Sequence, residues 1–238
     1  MDIFVDTAHL GHIRTWLAHG VIDGVTTNPS ILLAEGTFDL ELGARRIAAE
    51  AAPLPVSVEV TSDEPDEMLR QAFNIATWGS NVVVKIPIIT STGAPCLRVI
   101  KTLEEADIRV NVTACMSFGQ VMLAAKVGAT YISIFAGRVS DEGHDSARLI
   151  QQARGWLDQW NYRSKIIVGS IREVINIQDA ALAGAHVITI PPKFLPALID
   201  HRYSRDTVRQ FVQDGREAVE QAERLRLRVE NAAPSAGR

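Results

Sequence analysis

A lysine interrupts the most apolar run of the chain, the segment NVVVKIPI at residues 81–88. Lysine is among the residues least often fully buried, and moving its ammonium out of water without a partner is costly. Two structural explanations exist for Lys85: the strand lies at a sheet edge, or the side chain leans out to the rim. A chemical explanation is that Val83, Val84 and Ile86 surround the amine, so that desolvation makes it lose its proton more readily. A neutral amine adds to a ketone and forms a Schiff base, whose iminium withdraws electrons from the adjacent carbon–carbon bond.

Two carboxylates in other apolar runs could supply the proton transfers that such a reaction needs. Asp6 closes the run that begins near residue 3, and Glu59 lies in VSVEV at residues 56–60. Breaking a carbon–carbon bond next to an iminium requires a base for the hydroxyl proton and a relay for water. Each residue also has a structural explanation, because Asp6 could cap the following helix and Glu59 could face the helix layer.

Further polar residues fall at the ends of apolar runs along the chain. They are Thr26, Asn28, Asn111, Thr113, Ser133, Arg138, Ser170 and Arg172. The amides and hydroxyls could hold the hydroxyl groups of a polyol, and the planar donors of the two arginines suit phosphate oxygens. Taken singly, Asn28 before Pro29 could be a turn residue and Arg138 could be a surface charge. Together with Lys85, these residue types predict an aldol reaction on a sugar phosphate.

Eight short apolar runs recur along the chain, and each is followed by a segment of helical length. They begin near residues 3, 24, 56, 81, 109, 130, 165 and 186. Nearly continuous apolar character is typical of parallel strands covered on both faces, and eight such units predict a closed (β/α)8 TIM barrel of the α/β class. A doubly wound open sheet is the alternative, but no G-x-G-x-x-G motif follows the first run. In a barrel the carboxyl ends of the strands share one mouth, so the polar residues should converge there.

The C-terminal part of the chain differs from the eight repeats. We expect the barrel to span residues 1–203 and a charged helix to cover residues 204–230. A helix outside the repeats could pack on a neighbouring subunit, and a solvated terminal helix is equally consistent with its composition. The tail at residues 231–238 is rich in small residues and is predicted to be disordered.

Composition argues against several classes of function. A formal net charge of −4 gives no bulk electrostatic reason to expect a nucleic-acid or membrane partner. Two cysteines, Cys96 and Cys115, are too few for a disulfide framework or a metal site, and we expect small, buried residues. The start MDIFVDTAHL lacks the regions of a signal peptide, and no apolar run approaches about 18 residues. We therefore expect a cytoplasmic enzyme that needs neither a metal nor a cofactor.

Five motifs resemble those of the transaldolase family, specifically its short, single-barrel bacterial subgroup, which is related to fructose-6-phosphate aldolases. They are GVTTNPSIL (24–32), VVVKIPI (82–88), NVTACMSFGQ (111–120), YISIFAGR (131–138) and VGSIRE (168–173). The resemblance extends over residues 1–215 and implies transfer of a dihydroxyacetone unit between sugar phosphates, as in the pentose phosphate pathway. The implied donor is sedoheptulose 7-phosphate or fructose 6-phosphate, and the acceptor is an aldose phosphate. A homo-oligomer is also implied, a pentamer or a decamer in which the C-terminal helix reaches a neighbour.

The resemblance implies a role for each matching residue. Lys85 matches the Schiff-base lysine, and Asp6 matches the acid/base of the first strand. Glu59 and Thr113 match the pair that holds the catalytic water. The implied substrate-binding residues are Thr26, Asn28, Asn111, Ser133, Phe135, Arg138, Ser170 and Arg172.

Three positions distinguish transaldolases from aldolases within this resemblance. The aldolases carry glutamine at the position of Glu59, tyrosine at that of Phe135, and no serine at that of Ser133. This chain carries the transaldolase residue at all three. A tyrosine hydroxyl helps to protonate the enamine and release free dihydroxyacetone, so with Phe135 the enamine should persist until an aldehyde takes it.

Two alternatives to this interpretation stay open. The chain could be a class I fructose-6-phosphate-type aldolase that releases dihydroxyacetone, or a barrel that binds a sugar phosphate without catalysis. Departures from the family pattern lie near the mouth, namely Cys115-Met116, Ile134 and the segment TSTGAPC at residues 90–96. They leave the acceptor open and allow a pathway-specific transaldolase that makes an unusual long-chain sugar phosphate.

Overall fold

A computed structural model of the protein describes residues 1–36 and 39–232. Eight parallel strands pair in sequence order and close into a barrel, with β8 returning to β1. The strands are β1 (Asp2–Asp6), β2 (Gly24–Thr26), β3 (Val56–Glu59), β4 (Val82–Pro87), β5 (Val110–Cys115), β6 (Tyr131–Phe135), β7 (Lys165–Gly169) and β8 (Val187–Ile190). The predicted TIM barrel is therefore confirmed, and each strand coincides with one of the eight apolar runs.

Helices follow the strands and cover the outside of the barrel. They are α1 (Leu10–Ala18), α2 (Pro29–Ala34), α3 (Leu40–Ala51), α4 (Pro65–Ala76), α5 (Leu97–Glu105), α6 (Phe118–Lys126), α7 (Ala136–Asp141), α8 (Ser146–Gln159) and α9 (Val174–Leu182). Local sequence explains their ends. Ser117 and Gln120 form a capping box at the start of α6, and Gly128 follows its end with a φ of +92°, which favours glycine.

The C-terminal segment forms a separate unit. Contacts within the chain divide it between Leu195 and Pro196, whereas the sequence placed the end of the barrel at residue 203. A 3₁₀ turn (Pro192–Phe194) and α10 (Leu195–Ile199) precede α11 (Arg202–Ala232), which covers the helix expected at residues 204–230. The predicted disordered tail, residues 231–238, lies outside the described residues from position 233 onward. Over residues 1–36 and 39–232, no helix combines the length and hydropathy that a membrane span needs.

The inside of the barrel contains an apolar layer with the functional residues directly above it. Five inward side chains form a buried cluster: Phe4, Val83, Tyr131, Ile167 and Val187. Side chains alternate along a strand, so the residue two positions further on also points into the barrel. In the same five strands these residues are Asp6, Lys85, Ser133, Gly169 and Thr189, and all five line one cavity. The strand period thus places a polar ring on an apolar floor.

The floor leads to a stability prediction at Gly24, which pairs with Phe4 between β2 and β1. A Cβ atom at this position would lie 2.6 Å from Cε1 of the buried Phe4 ring. We expect Gly24→Ala to lower the free energy of unfolding by about 2 kcal/mol, because the ring must shift within a packed layer. Urea unfolding measures the change. The control is Gly119→Ala in α6, where an added Cβ meets no atom within 4 Å; equal losses for the two variants would contradict the prediction.

Candidate active site

The polar side chains predicted from the sequence converge at the carboxyl ends of the strands. They line a cavity of about 480 Å³, a size that suits a small organic ligand. The predicted residues on its wall are Asp6, Thr26, Asn28, Glu59, Lys85, Thr113, Ser133, Phe135, Arg138, Ser170 and Arg172. Asn111 is fully buried and is not part of the wall. Thr189, Ser30 and Gly169 also line the cavity and were not among the predicted site residues.

Lys85 points into this cavity from β4 and is only 5% exposed. Its Nζ lies 3.0 Å from Oε2 of Glu59 and donates a 3.0 Å hydrogen bond to the backbone carbonyl of Thr27. These surroundings differ from the predicted apolar pocket, because Val84 and Ile86 alternate to the outer face and join the main core. A closed barrel has no edge strand, so the edge explanation also fails. The carboxylate and the carbonyl offset part of the cost of burying the ammonium.

Asp6 does not cap the following helix, because His9 is the N-cap residue of α1. Oδ1 of Asp6 instead accepts a 2.7 Å hydrogen bond from the hydroxyl of Thr26. Burial raises the pKa of the Asp6 carboxyl above its ordinary value, against the opposing effects of Lys85 and the Thr26 hydrogen bond, and the charge of Glu59 adds to the rise. A carboxyl with a raised pKa is better matched to accepting and returning a proton during catalysis.

The Asn111 side chain is held at both ends by serines. Its Oδ1 accepts a 2.7 Å bond from the hydroxyl of Ser133, and its Nδ2 donates a 3.1 Å bond to the hydroxyl of Ser57. These bonds orient Ser133 at the cavity wall. Ser57 was not among the predicted site residues; the available signal was the alternation in VSVEV, which puts Ser57 on the same face of β3 as Glu59.

Thr113 presents a buried hydroxyl that no other described residue bonds. The residue is 1% exposed and lies in the C-terminal half of β5, on the cavity wall that Glu59 also lines. A buried hydroxyl without a partner carries a desolvation cost, and such groups are commonly satisfied by water or a ligand. The position therefore suits a bound water or a substrate hydroxyl.

The outer part of the cavity carries two exposed arginines and an unusual backbone conformation. Nη2 of Arg172 lies 3.0 Å from Oδ2 of Asp141, so the end of α7 holds this guanidinium. Ser170 adopts a φ of +58°, which is uncommon for a residue other than glycine. A Cβ at position 137 would lie 2.0 Å from the Ser170 carbonyl oxygen, so only glycine permits this approach. Together with Arg138, these groups can bind an anion.

The two cysteines are small, buried residues, as predicted. Cys96 and Cys115 are both free and fully buried. Burial raises the pKa of the Cys115 thiol to about 12, so the thiol stays protonated and is not an activated nucleophile.

Comparisons with known proteins agree with this geometry. A sequence model of the family described as "Transaldolase/Fructose-6-phosphate aldolase" matches residues 3–236. A "Probable transaldolase" of Dehalococcoides mccartyi is 38% identical over 214 residues, which are 90% of this chain and 97% of the relative. One of the same name from Maridesulfovibrio salexigens is 43% identical over 201 residues, 84% of this chain and 91% of the relative. A solved thiamine phosphate pyrophosphorylase of Pyrococcus furiosus has a TM-score of 0.54 at 13% identity, covering 80% of this chain and 85% of that one, and shows the fold alone.

The raised pKa of Asp6 leads to a prediction about stability. Folding raises this pKa above the ordinary 3.8. The contribution of Asp6 to the free energy of unfolding is therefore fully present below pH 3.8 and is lost as the pH rises through the pKa of the folded state. Asp6→Asn substitutes a neutral amide of similar size and should escape this loss. We expect the stability of the variant relative to wild type to increase with pH, as measured by urea unfolding at a series of pH values.

A control with the opposite sign is available at Asp63. Hydrogen bonds from Ser91 lower the pKa of Asp63, so its contribution to stability is present above the ordinary pKa and is lost as the pH falls. Asp63→Asn should therefore lose stability relative to wild type as the pH rises. The same trend with pH in both variants would contradict the interpretation of Asp6.

Proposed function

Because the chain belongs to the transaldolase/fructose-6-phosphate aldolase family, we propose that it transfers a dihydroxyacetone unit through a Schiff base on Lys85. The proposed donor is a ketose phosphate, sedoheptulose 7-phosphate or fructose 6-phosphate, and the proposed acceptor is an aldose phosphate. The observation that carries the proposal is the buried Nζ of Lys85, 3.0 Å from Glu59, in a cavity that also contains Asp6.

The first step is formation of the Schiff base. Glu59 contacts the ammonium directly and can accept its proton, which leaves a neutral amine that adds to the ketone carbon. The resulting carbinolamine takes up a proton and loses its hydroxyl as water, giving the iminium. In this proposal Glu59 and Thr113 hold that water; its support is that both line the cavity and that no other described residue bonds the Thr113 hydroxyl.

The second step breaks the carbon–carbon bond. Ionised Asp6 removes the proton from the hydroxyl next to that bond, and the bonding electrons move to the iminium to give an enamine. An aldose phosphate then leaves, and an acceptor aldehyde takes its place. The enamine attacks this aldehyde while Asp6 returns the proton to the new hydroxyl, and water releases the product from Lys85.

The arginines at the mouth support phosphorylated substrates. Arg138 and Arg172 are exposed and line the same cavity as the buried lysine, with Ser170 between the end of β7 and Arg172. Guanidinium groups bind phosphate oxygens with directed, charge-assisted hydrogen bonds. A substrate with its phosphate at this mouth would place its carbonyl end toward Lys85.

The proposals for assembly and cellular setting rest on the family resemblance, and the proposal for assembly rests also on the surface of α11. We propose a homo-oligomer because apolar residues recur at helical spacing on the otherwise charged α11, among them Val208, Phe211 and Val212. A cytoplasmic enzyme of the pentose phosphate pathway and a pathway-specific transaldolase are both consistent with the proposed chemistry.

Covalent trapping tests the proposed function at Lys85. Lys85 should cleave fructose 6-phosphate, and protonation of the resulting enamine gives a three-carbon iminium. Borohydride added during this reaction should reduce that iminium and leave a dihydroxyacetone-derived adduct on Lys85, identified by peptide mass spectrometry. An aldose phosphate added before the borohydride should lower the yield of this three-carbon adduct, because the acceptor consumes the enamine. Lys85→Arg should give no adduct and lose essentially all activity, since a guanidinium does not form the imine.

The matched control is Lys165→Arg, which keeps a cation at an exposed position at the start of β7. This variant should trap and turn over like wild type. Trapping on a lysine other than Lys85, or near-normal turnover by Lys85→Arg, would exclude the proposed mechanism.

A second prediction distinguishes transfer of the dihydroxyacetone unit to an acceptor from its release as free dihydroxyacetone. Phe135 lines the cavity without a hydroxyl, which favours transfer over the alternative of an aldolase. Glu59→Gln combined with Phe135→Tyr should raise the ratio of free dihydroxyacetone to transfer product by about 100-fold, a size typical of a positioned general acid. Both products are measured in one reaction, with the two single variants as controls. An unchanged ratio would show that other residues set the partition.

A further inference from the structure

A threonine on β8 extends the hydrogen bonds of Asp6 to a third strand. Oγ1 of Thr26 lies 2.7 Å from Oδ1 of Asp6 and 2.5 Å from Oγ1 of Thr189. The three residues belong to β1, β2 and β8, and both threonines are buried. Thr189 is 6% exposed and lines the cavity, yet no step derived above uses it.

The direction of these bonds follows from the number of hydrogens. An ionised carboxylate accepts hydrogen bonds and donates none, so the single hydroxyl hydrogen of Thr26 must point to Asp6. The Thr26 oxygen can then only accept from Thr189. Whenever Asp6 is ionised, the order of donation is therefore Thr189 to Thr26 to Asp6.

The Thr189 side chain is held in the orientation that this order requires. A Cβ added at Gly169 would lie 3.2 Å from Cγ2 of Thr189, so the methyl group of Thr189 occupies the space beside this glycine on β7. With the methyl group directed to Gly169, the hydroxyl faces Thr26. Gly169 is thus part of the arrangement, because a side chain there would crowd the methyl group.

We propose that Thr189 is a positioning residue that holds the Thr26 hydroxyl as a donor to Asp6 and so promotes ionisation of the carboxyl that moves the substrate proton. The catalytic part of this proposal rests on the proposed function, which assigns that proton to Asp6. A donor chain that ends on a charge is more strongly polarised than one that ends on a neutral group, so Thr189 stabilises the ionised state more than the protonated one.

The charged groups around Asp6 belong to other strands and stay in place in the test. Lys85 on β4 favours the ionised carboxyl, and Glu59 on β3 opposes it. Arg138 and Arg172 lie farther out in the same cavity. None of these four is hydrogen-bonded to Thr189 in the described chain, so a change at Thr189 acts on Asp6 through Thr26.

The test is a titration of Asp6 in the full-length protein without substrate. Carboxyl resonances of ¹³C-labelled aspartate are followed by NMR, and the Asp6 signal is assigned by its absence in Asp6→Asn. Thr26→Val should lower the acid dissociation constant of Asp6 about tenfold, as expected for loss of a hydrogen bond to a charge. Thr189→Val should lower it about twofold, the smaller effect of one cooperative neighbour.

Additional variants separate positioning from packing. The variant that combines Thr26→Val with Thr189→Val should have the same acid dissociation constant of Asp6 as Thr26→Val alone, because Thr189 acts through Thr26. Thr189→Ser keeps the hydroxyl but lacks the methyl group beside Gly169, so the acid dissociation constant of Asp6 in this variant should be closer to wild type than in Thr189→Val. Thr130→Val removes a half-buried hydroxyl directly before β6, bonded to Glu104, and should leave the titration of Asp6 unchanged. Thr189→Ala replaces the valine variant if that variant does not fold, with the same expected fall.

In Thr189→Val the acidic limb of the pH profile of kcat should move to higher pH, because Asp6 ionises less readily, and KM should be unchanged. Three results would each overturn the proposal. They are an acid dissociation constant of Asp6 in Thr189→Val equal to that of wild type, the same constant in Thr189→Ser as in Thr189→Val, and additive effects in the variant that combines Thr26→Val with Thr189→Val. The titration needs no substrate, so a failed trapping experiment at Lys85 together with the expected titration would refute the proposed function and leave the role of Thr189 toward Asp6 intact.

Discussion

Burial of the Lys85 ammonium inside a closed barrel is the constraint on which the site depends. A charge that is removed from water destabilises the folded state by its full desolvation free energy unless groups of opposite charge or hydrogen-bond acceptors lie next to it. The register between β3 and β4 pairs Glu59 with Lys85, which brings the carboxylate to 3.0 Å of the amine. The carbonyl of Thr27, the residue directly after β2, supplies a second partner. Residues of β3 and β4, together with the residue that follows β2, thus hold one cation inside the barrel.

The alternation of side chains along the strands explains why so many polar groups meet at this level. Phe4, Val83 and Tyr131 close the barrel below, and the residues two positions later are Asp6, Lys85 and Ser133. The apolar floor lowers the local dielectric, which strengthens each electrostatic interaction just above it. The same burial raises the pKa of Asp6, so the floor affects chemistry as well as stability.

Much of this arrangement could be predicted from the sequence, and the exceptions share one physical cause. The eight strands follow from apolar runs, and Lys85 and Glu59 stand out because their charges are rare in such runs. Thr189 and Ser57 do not stand out, since small hydroxyl residues are common in strands and their importance lies in partners far along the chain. Thr189 meets Thr26 across 163 positions. The apolar pocket expected around Lys85 was wrong because neighbours in a strand point to opposite faces.

The cavity is also divided electrostatically along its depth, and this division limits the substrates that fit. Lys85 and the two carboxylates lie inside, whereas Arg138 and Arg172 are exposed at the mouth. Ser170 keeps a left-handed backbone at that mouth, a conformation that costs about 1–3 kcal/mol outside glycine. Retained strain is expected where geometry serves binding. An anion site outside and an amine inside favour an extended molecule with its anionic group at one end and its carbonyl at the other. In the proposed mechanism, the same outer anion site could serve donor and acceptor in turn, because the proposed enamine would stay bound below it.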